Sequence, residues 1–204
     1  MEWLPWIDAR VHEILAGRVN VLDHWRRQVL TTSNRVKNFE NWMLVELVHH
    51  LQQNGVQEIK TNGYLERPSY PIASAKASLQ GVKAKSHSIS PDLAFRPFND
   101  ALLINAEMKT QTSPQEVIDD VRLVRYHNQY EINQNHRSCF LWIVVAPADP
   151  KLHDRVIRSS AKIMERLSRE GIHIKLKAVN ENPWLAYCVA APGIKLKSTV
   201  DSFQ

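Results

Sequence analysis

Apolar positions recur along this chain with two different periods, and the switches between them mark out its elements. From residue 3 to 32 they fall at helical spacing, in a stretch rich in Trp and Arg that breaks near Gly17 into two amphipathic helices. Residues 38–53 give the clearest helical pattern, with Asn38 as its cap and Asn54-Gly55 as its stop. The period then shortens. One strand is expected over Val56–Thr61, and two more over Ser90–Phe95 and Ile104–Lys109, joined by a turn-like stretch from Arg96 to Asp100. Ser113, with Glu116 three residues on, predicts a helix start, and the helix runs from Pro114 to Glu131. Cys139–Ala146 is a continuous apolar run of the kind found in a central buried strand. Residues 151–170 are again helical and end at Gly171, and Ile172–Val179 and Trp184–Ala190 close the chain as strands.

Composition narrows the class without changing this picture. The 204 residues are 44% hydrophobic and 23% charged, as in one globular domain with a core of ordinary size. No apolar run approaches the ~20 residues that cross a bilayer, and Met1-Glu2-Trp3-Leu4-Pro5-Trp6 lacks the pattern of a secretion signal. Cys139 and Cys188 both fall in apolar strands without metal-ligand spacing, which suits buried free thiols in a reducing, cytoplasmic setting. A net charge of +5 and a pI of about 9.3 lean mildly toward an anionic partner, of which nucleic acid is the commonest.

The chemistry concentrates in the paired strands. Glu107 and Lys109 are two residues apart in an apolar run, so they emerge on the same face. Folding the hairpin back brings Asp92 beside them. Two carboxylates and a lysine at a hairpin end can hold a hard divalent cation and position a water. The competing reading is a solvated edge strand with ordinary surface charges. Against it, Ala101–Ala106 reads as interior strand, where an unpaired charge is costly.

Pro91-Asp92 followed by Glu107-Met108-Lys109 on a hydrophobic strand resembles the PD-(D/E)XK nuclease superfamily, over roughly residues 36–147. The resemblance implies an α/β fold with a mixed central sheet flanked by helices. Its restriction-endonuclease-like αβββαβ core would carry extra N-terminal helices and C-terminal strands. The chain is then a single nuclease domain: a helical extension (1–35), a catalytic core (36–147), and a C-terminal helix and strands (148–204). The implied activity is Mg²⁺-dependent hydrolysis of phosphodiester bonds, restriction-like or resolvase-like on DNA, with Mn²⁺ able to substitute. Asp92 and Glu107 would be the metal carboxylates and the Met108 carbonyl a third ligand, with Lys109 orienting the nucleophile or stabilising charge. A glutamate from the preceding helix often joins such sites. Glu40 is preferred over Glu46 because it shares a helical stripe with Leu44, Leu47 and Leu51.

Several other residues invite a role. Lys76, Lys83 and Lys85 lie in a polar stretch, Asn62–Ser88, that could clasp a phosphate backbone or be a plain loop. Some members of the superfamily carry Gln-x-x-x-Tyr on the helix after the motif; here Arg122 stands in place of the glutamine, ahead of Tyr126. Arg122, Arg125 and Tyr126 could touch phosphates, or Asp119 and Asp120 could pair along the helix as ordinary surface charge. His49-His50 diverge on a helix and cannot share one metal. No P-loop, Gly-x-Ser-x-Gly elbow or Cys-x-x-Cys pair occurs. Trp3, Trp6 and Trp25 with Ile7, Val11, Ile14 and Leu15 offer an apolar face that could serve a homodimer cutting both strands of a duplex or could pack on the chain's own domain. Two alternatives stay open: a nuclease of this fold acting on RNA or within a larger machine, and a catalytically silent nucleic-acid-binding or interaction module. Nothing in the sequence separates DNA from RNA.

Overall fold

The order of elements follows the two hydrophobic periods. The computed structural model of the chain describes residues 2–28, 33–66, 91–97, 102–110, 114–130 and 135–194. Helices α1 (Trp3–Gly17), α2 (Val19–Gln28) and α3 (Ser33–Gln53) lead into strands β1 (Ile59–Thr61), β2 (Leu93–Phe95) and β3 (Leu103–Thr110). Helix α4 (Pro114–Tyr130) crosses to β4 (His136–Val145), and α5 (Pro150–Arg169) precedes β5 (Lys177–Val179) and β6 (Asn182–Ala190). The six strands form one mixed sheet in the order β1-β2-β3-β4-β6-β5, flanked by helices. Among the described residues the one parallel pairing joins β3 to β4, and α4 supplies the long crossover that a parallel pair needs.

Both faces of the sheet are covered, which explains why β4 reads as an unbroken apolar run. Cys139, Leu141, Ile143 and Val145 share a cluster with Ala106 and Met108 of β3 and with Ile7, Val11, Leu15, Phe39, Met43 and Leu47 of α1 and α3. Phe140, Trp142 and Val144 face the other way, onto Val117, Val121 and Val124 of α4 and Ile163 and Leu167 of α5. The β3–β4 register sets Glu107 beside Phe140 and Lys109 beside Trp142, so both charged residues emerge on this second face.

Several boundaries differ from the sequence reading, each for a local reason. Helix α3 begins five residues before Asn38, because the preceding segment, with Arg35 and Lys37, tolerates helix and a short polar residue does not by itself stop one. Strand β1 keeps only three of the six expected residues, since its partner β2 is itself three long. Residues 172–176 alternate in burial without joining the ladder, and β5 starts at Lys177. The buried stripe of α3 is Phe39, Met43, Leu47 and Leu51, with Leu44 at its margin. The expected N-cap Ser113 lies outside the described residues.

Ile7, Val11, Ile14 and Leu15 are buried in the chain's own core, with Trp3, Trp6 and Trp25 packed around them. Among the described residues no helix is long and apolar enough to cross a membrane. Both cysteines are free and buried, and burial pushes the Cys188 thiol up to about 11.

Phe39 anchors α3 to this core. It is fully buried, and its ring lies 5.4 Å from that of Trp25 and 5.9 Å from that of Trp42. Phe39→Ala should cost about 3 to 5 kcal/mol of unfolding free energy through the lost contacts and the residual cavity. Glu46→Ala, seven residues on, loses only a half-exposed ion pair with Arg18 and should cost no more than about 1 kcal/mol. Urea denaturation of the two variants checks the contrast.

Candidate active site

The site begins with the register of the hairpin. Leu93 pairs with Ala106, so the antiparallel register carried back one residue sets Asp92 opposite Glu107. Asp92 precedes the first residue of β2, where the ladder has ended and a side chain can fold back onto the neighbouring strand. Its Oδ2 accepts a hydrogen bond from the Met108 N–H at 2.7 Å. The N–H and C=O of a strand residue point to the same neighbour, so the Met108 carbonyl is directed to the Asp92 edge as well.

Lys109 draws the helices of both layers to this end of β3. Its Nζ lies 3.3 Å from Asp120 Oδ2 on α4 and 3.9 Å from Glu40 Oε1 on α3. Glu40 is held in turn by the strand terminus, where Oε2 accepts long hydrogen bonds from Thr110 N–H and Oγ1, both at 3.4 Å. Glu107, 9% exposed, makes no ion pair among the described residues.

Four carboxyls thus share one ammonium group in a poorly hydrated place, and all four resist ionisation. Burial is the main cause in each. Glu107 is raised well above the ordinary value by burial and then by the charges of Asp92 and Asp120, against the pull of Lys109. Asp120 is pushed up to about 6 by burial, which the Lys109 charge only partly offsets. Asp92 is raised by burial despite the Met108 N–H and Lys109, and Glu40 by burial despite Lys109, with Asp92 adding to the rise. For Lys109, burial acts to lower the value, but Asp120, Glu40 and Asp92 together outweigh it and raise it. Such a surplus of buried negative charge is relieved by protons or by a bound cation.

The donor set fits a hard cation. Among the described residues the oxygens that converge around Lys109 are carboxylate and carbonyl oxygens, with no imidazole or thiolate beside them, which suits Mg²⁺ or Mn²⁺ rather than zinc. Among the described residues no three His, Cys, Asp or Glu side chains form a ready-made ligand cluster. Mg²⁺ needs only one or two carboxylates, because it retains several waters.

The other expected site residues divide. Glu40 stands beside Lys109, whereas Glu46 points away to Arg18, at 3.0 Å. Arg122 is clamped by Glu170 through two hydrogen bonds of 2.8 and 2.6 Å, and Arg125 donates to the Glu170 carbonyl at 2.9 Å. Those guanidinium groups hold α4 to the end of α5. Tyr126 is half-buried on α4 and has a partner. Lys76, Lys83 and Lys85 lie outside the described residues. His49 and His50 diverge, to Gln53 and Glu13.

Asp120 is not singled out as a site residue by its sequence context, nor is Thr110. The Asp119-Asp120 pair splits: Asp119 contacts Gln115 and Arg122, while Asp120 turns to Lys109. A signal exists, since Asp120 is three residues from buried Val117 and four from buried Val124, on the helix side that faces the sheet. Compared with family models, curated proteins and solved structures, the chain matches none.

The raised Asp120 value has a thermodynamic consequence. Between its ordinary 3.8 and about 6, the folded chain keeps a proton that the unfolded chain releases, so stability falls as pH rises through that window. Asp120→Asn removes this linkage. From about pH 4 to pH 7 without divalent ions, the variant should lose less unfolding free energy than the parent by on the order of 2 to 3 kcal/mol. Urea titrations at each pH read it, and superimposable profiles would show Asp120 ionising normally.

Proposed function

We propose that this chain is a Mg²⁺-dependent phosphodiesterase acting on nucleic acid, with double-stranded DNA as the first substrate to test. The observation that carries the reading is the convergence of Asp92, Glu107 and Lys109 at the end of β3. The succession α3, β1, β2, β3, α4, β4 supports a restriction-endonuclease-like core.

Asp92, Glu107 and the Met108 carbonyl would hold the cation, which when bound supplies positive charge beside the scissile phosphate and an acidified water. The chain's own groups do the rest. The Met108 N–H fixes the Asp92 carboxylate in one orientation. Glu40 and Asp120 hold the Lys109 ammonium in place and keep it charged at neutral pH. From there it can orient a nucleophile or meet charge developing on phosphate oxygens. Glu40 and Asp120 act through Lys109 and are positioning residues.

A second reading draws on the same ion pairs. A lysine neutralised by two helix carboxylates is also what a structural network shows, and a binding module without chemistry would need nothing more. The two readings separate in one experiment. Purified protein incubated with supercoiled plasmid or with a structured RNA should cut the DNA in Mg²⁺ and not in EDTA. Asp92→Ala, Glu107→Ala and Lys109→Ala should each reduce cutting by at least about 10² to 10³-fold. Calorimetry should show Mn²⁺ binding to the parent and its loss in the two carboxylate variants. Cleavage at parental rate by Asp92→Ala or Glu107→Ala would remove the site, and cleavage of RNA alone would reassign the substrate.

A further inference from the structure

Helix α5 carries a charge pattern that the proposed active site does not use. Its buried side, with Ser160, Ile163 and Leu167, packs into the layer it shares with α4. On the opposite side Lys151, Arg155, Arg158, Lys162, Arg166 and Arg169 follow one another at steps of four, three, four, four and three residues, and all six are exposed. At about 100° per residue they fall within an arc of about 80°, and at about 1.5 Å per residue the row is about 27 Å long. The helix holds only two carboxylates against these six cations, Asp154 and Glu165.

Among the described residues little neutralises the row. Among the described residues its one ion pair is Arg169 with Glu165, at 2.5 Å on open surface. Arg158 donates to its own helix, at the Asp154 carbonyl, and Arg166 donates to the neutral Gln115 Oε1 at 3.2 Å. Six like charges on one strip repel one another, and a polyanion or salt relieves that repulsion.

The position of the row points to its partner. The Arg166–Gln115 bond seats one end of it against the first turn of α4, and Gln115 donates onward to Asp119 at 2.7 Å, the neighbour of Asp120. The strip is therefore tied at this end to the first turns of α4, the helix that carries Asp120 to Lys109. We infer that the exposed face of α5 is a docking surface for the sugar–phosphate backbone of a nucleic-acid duplex, leading it to the end of β3. The geometry of α5 stands by itself; the choice of nucleic acid among polyanions rests on the phosphodiesterase reading. An anionic membrane fits less well, because the apolar side of α5 is turned into the core and only Ile157 among its large apolar residues is exposed. Basic residues about one turn apart can each meet a backbone phosphate, and every phosphate so neutralised steepens the salt dependence of binding.

The test is anisotropy of a fluorescein-labelled 30-base-pair DNA duplex with the full chain in EDTA, where no cutting occurs, across a range of salt. Arg155→Gln/Lys162→Gln is compared with Arg27→Gln/Lys175→Gln, which removes the same charge from exposed positions elsewhere. The parent should bind, with affinity falling steeply in salt. The α5 variant should lose at least about tenfold in affinity at low salt and show a slope shallower by about two units, at roughly 0.9 per phosphate contact. The control variant should follow the parent. Equal losses in the two variants, no duplex binding by the parent, or preferential binding to phosphatidylserine vesicles would each overturn the inference. Duplex held through α5 yet never cut on adding Mg²⁺ would uphold the docking surface and sink the hydrolytic reading.

Discussion

A single ammonium group ties the two helical layers of this protein to its central strand. Lys109 stands on β3 and meets Glu40 from α3 and Asp120 from α4, helices that pack on opposite faces of the sheet. Neither face of a sheet can see the other through its interior, so only a strand end allows this meeting. The rest of the arrangement follows from that position. One residue before the first ladder pair of β2, Asp92 turns its side chain onto the Met108 N–H. Glu107 lies one pleat deeper and, among the described residues, has neighbouring charges but no ion pair. The electrostatic cost is borne by packing on both sides, through buried Phe39, next to Glu40 in the chain, and buried Val117, one helical turn before Asp120.

The two layers do different work. The α1–α3 side holds the larger apolar cluster and contributes one carboxylate. The α4–α5 side carries Asp120, the Arg122–Glu170 clamp and the basic row of α5, all reached from the face on which Glu107 and Lys109 emerge. The proposed chemistry thus emerges on one face while apolar clusters on both faces support it, with Lys109 as the joint between them.

Much of this is legible in the sequence because strand geometry is short-range. A two-residue spacing fixes a shared face, so Glu107 and Lys109 belong together on their spacing alone, and the turn between two apolar runs brings Asp92 with them. Glu40 is reachable through helical periodicity, although the stripe beside it is Phe39, Met43 and Leu47. Asp120 is harder. Whether a helix carboxylate pairs along its own helix or across to a strand depends on how the helix is rotated against the sheet, and that is a tertiary fact. The same holds for Arg122, whose partner Glu170 is 48 residues away. The apolar stripe of α1 shows the opposite failure: periodicity identifies its face, but not what covers it.

That cover has an order in time. Lys177 reaches back to Asp8 across 169 residues, and the His12 ring lies 5.8 Å from that of Tyr187 on β6. A ribosome adding about 5 to 20 residues per second needs roughly 8 to 35 s to pass from one partner to the other. Through that interval α1 can settle on α3, but its side toward β5 and β6 has nothing to close against. The side of α1 that meets β5 and β6 is therefore closed only after both strands have been made, long after α1 itself.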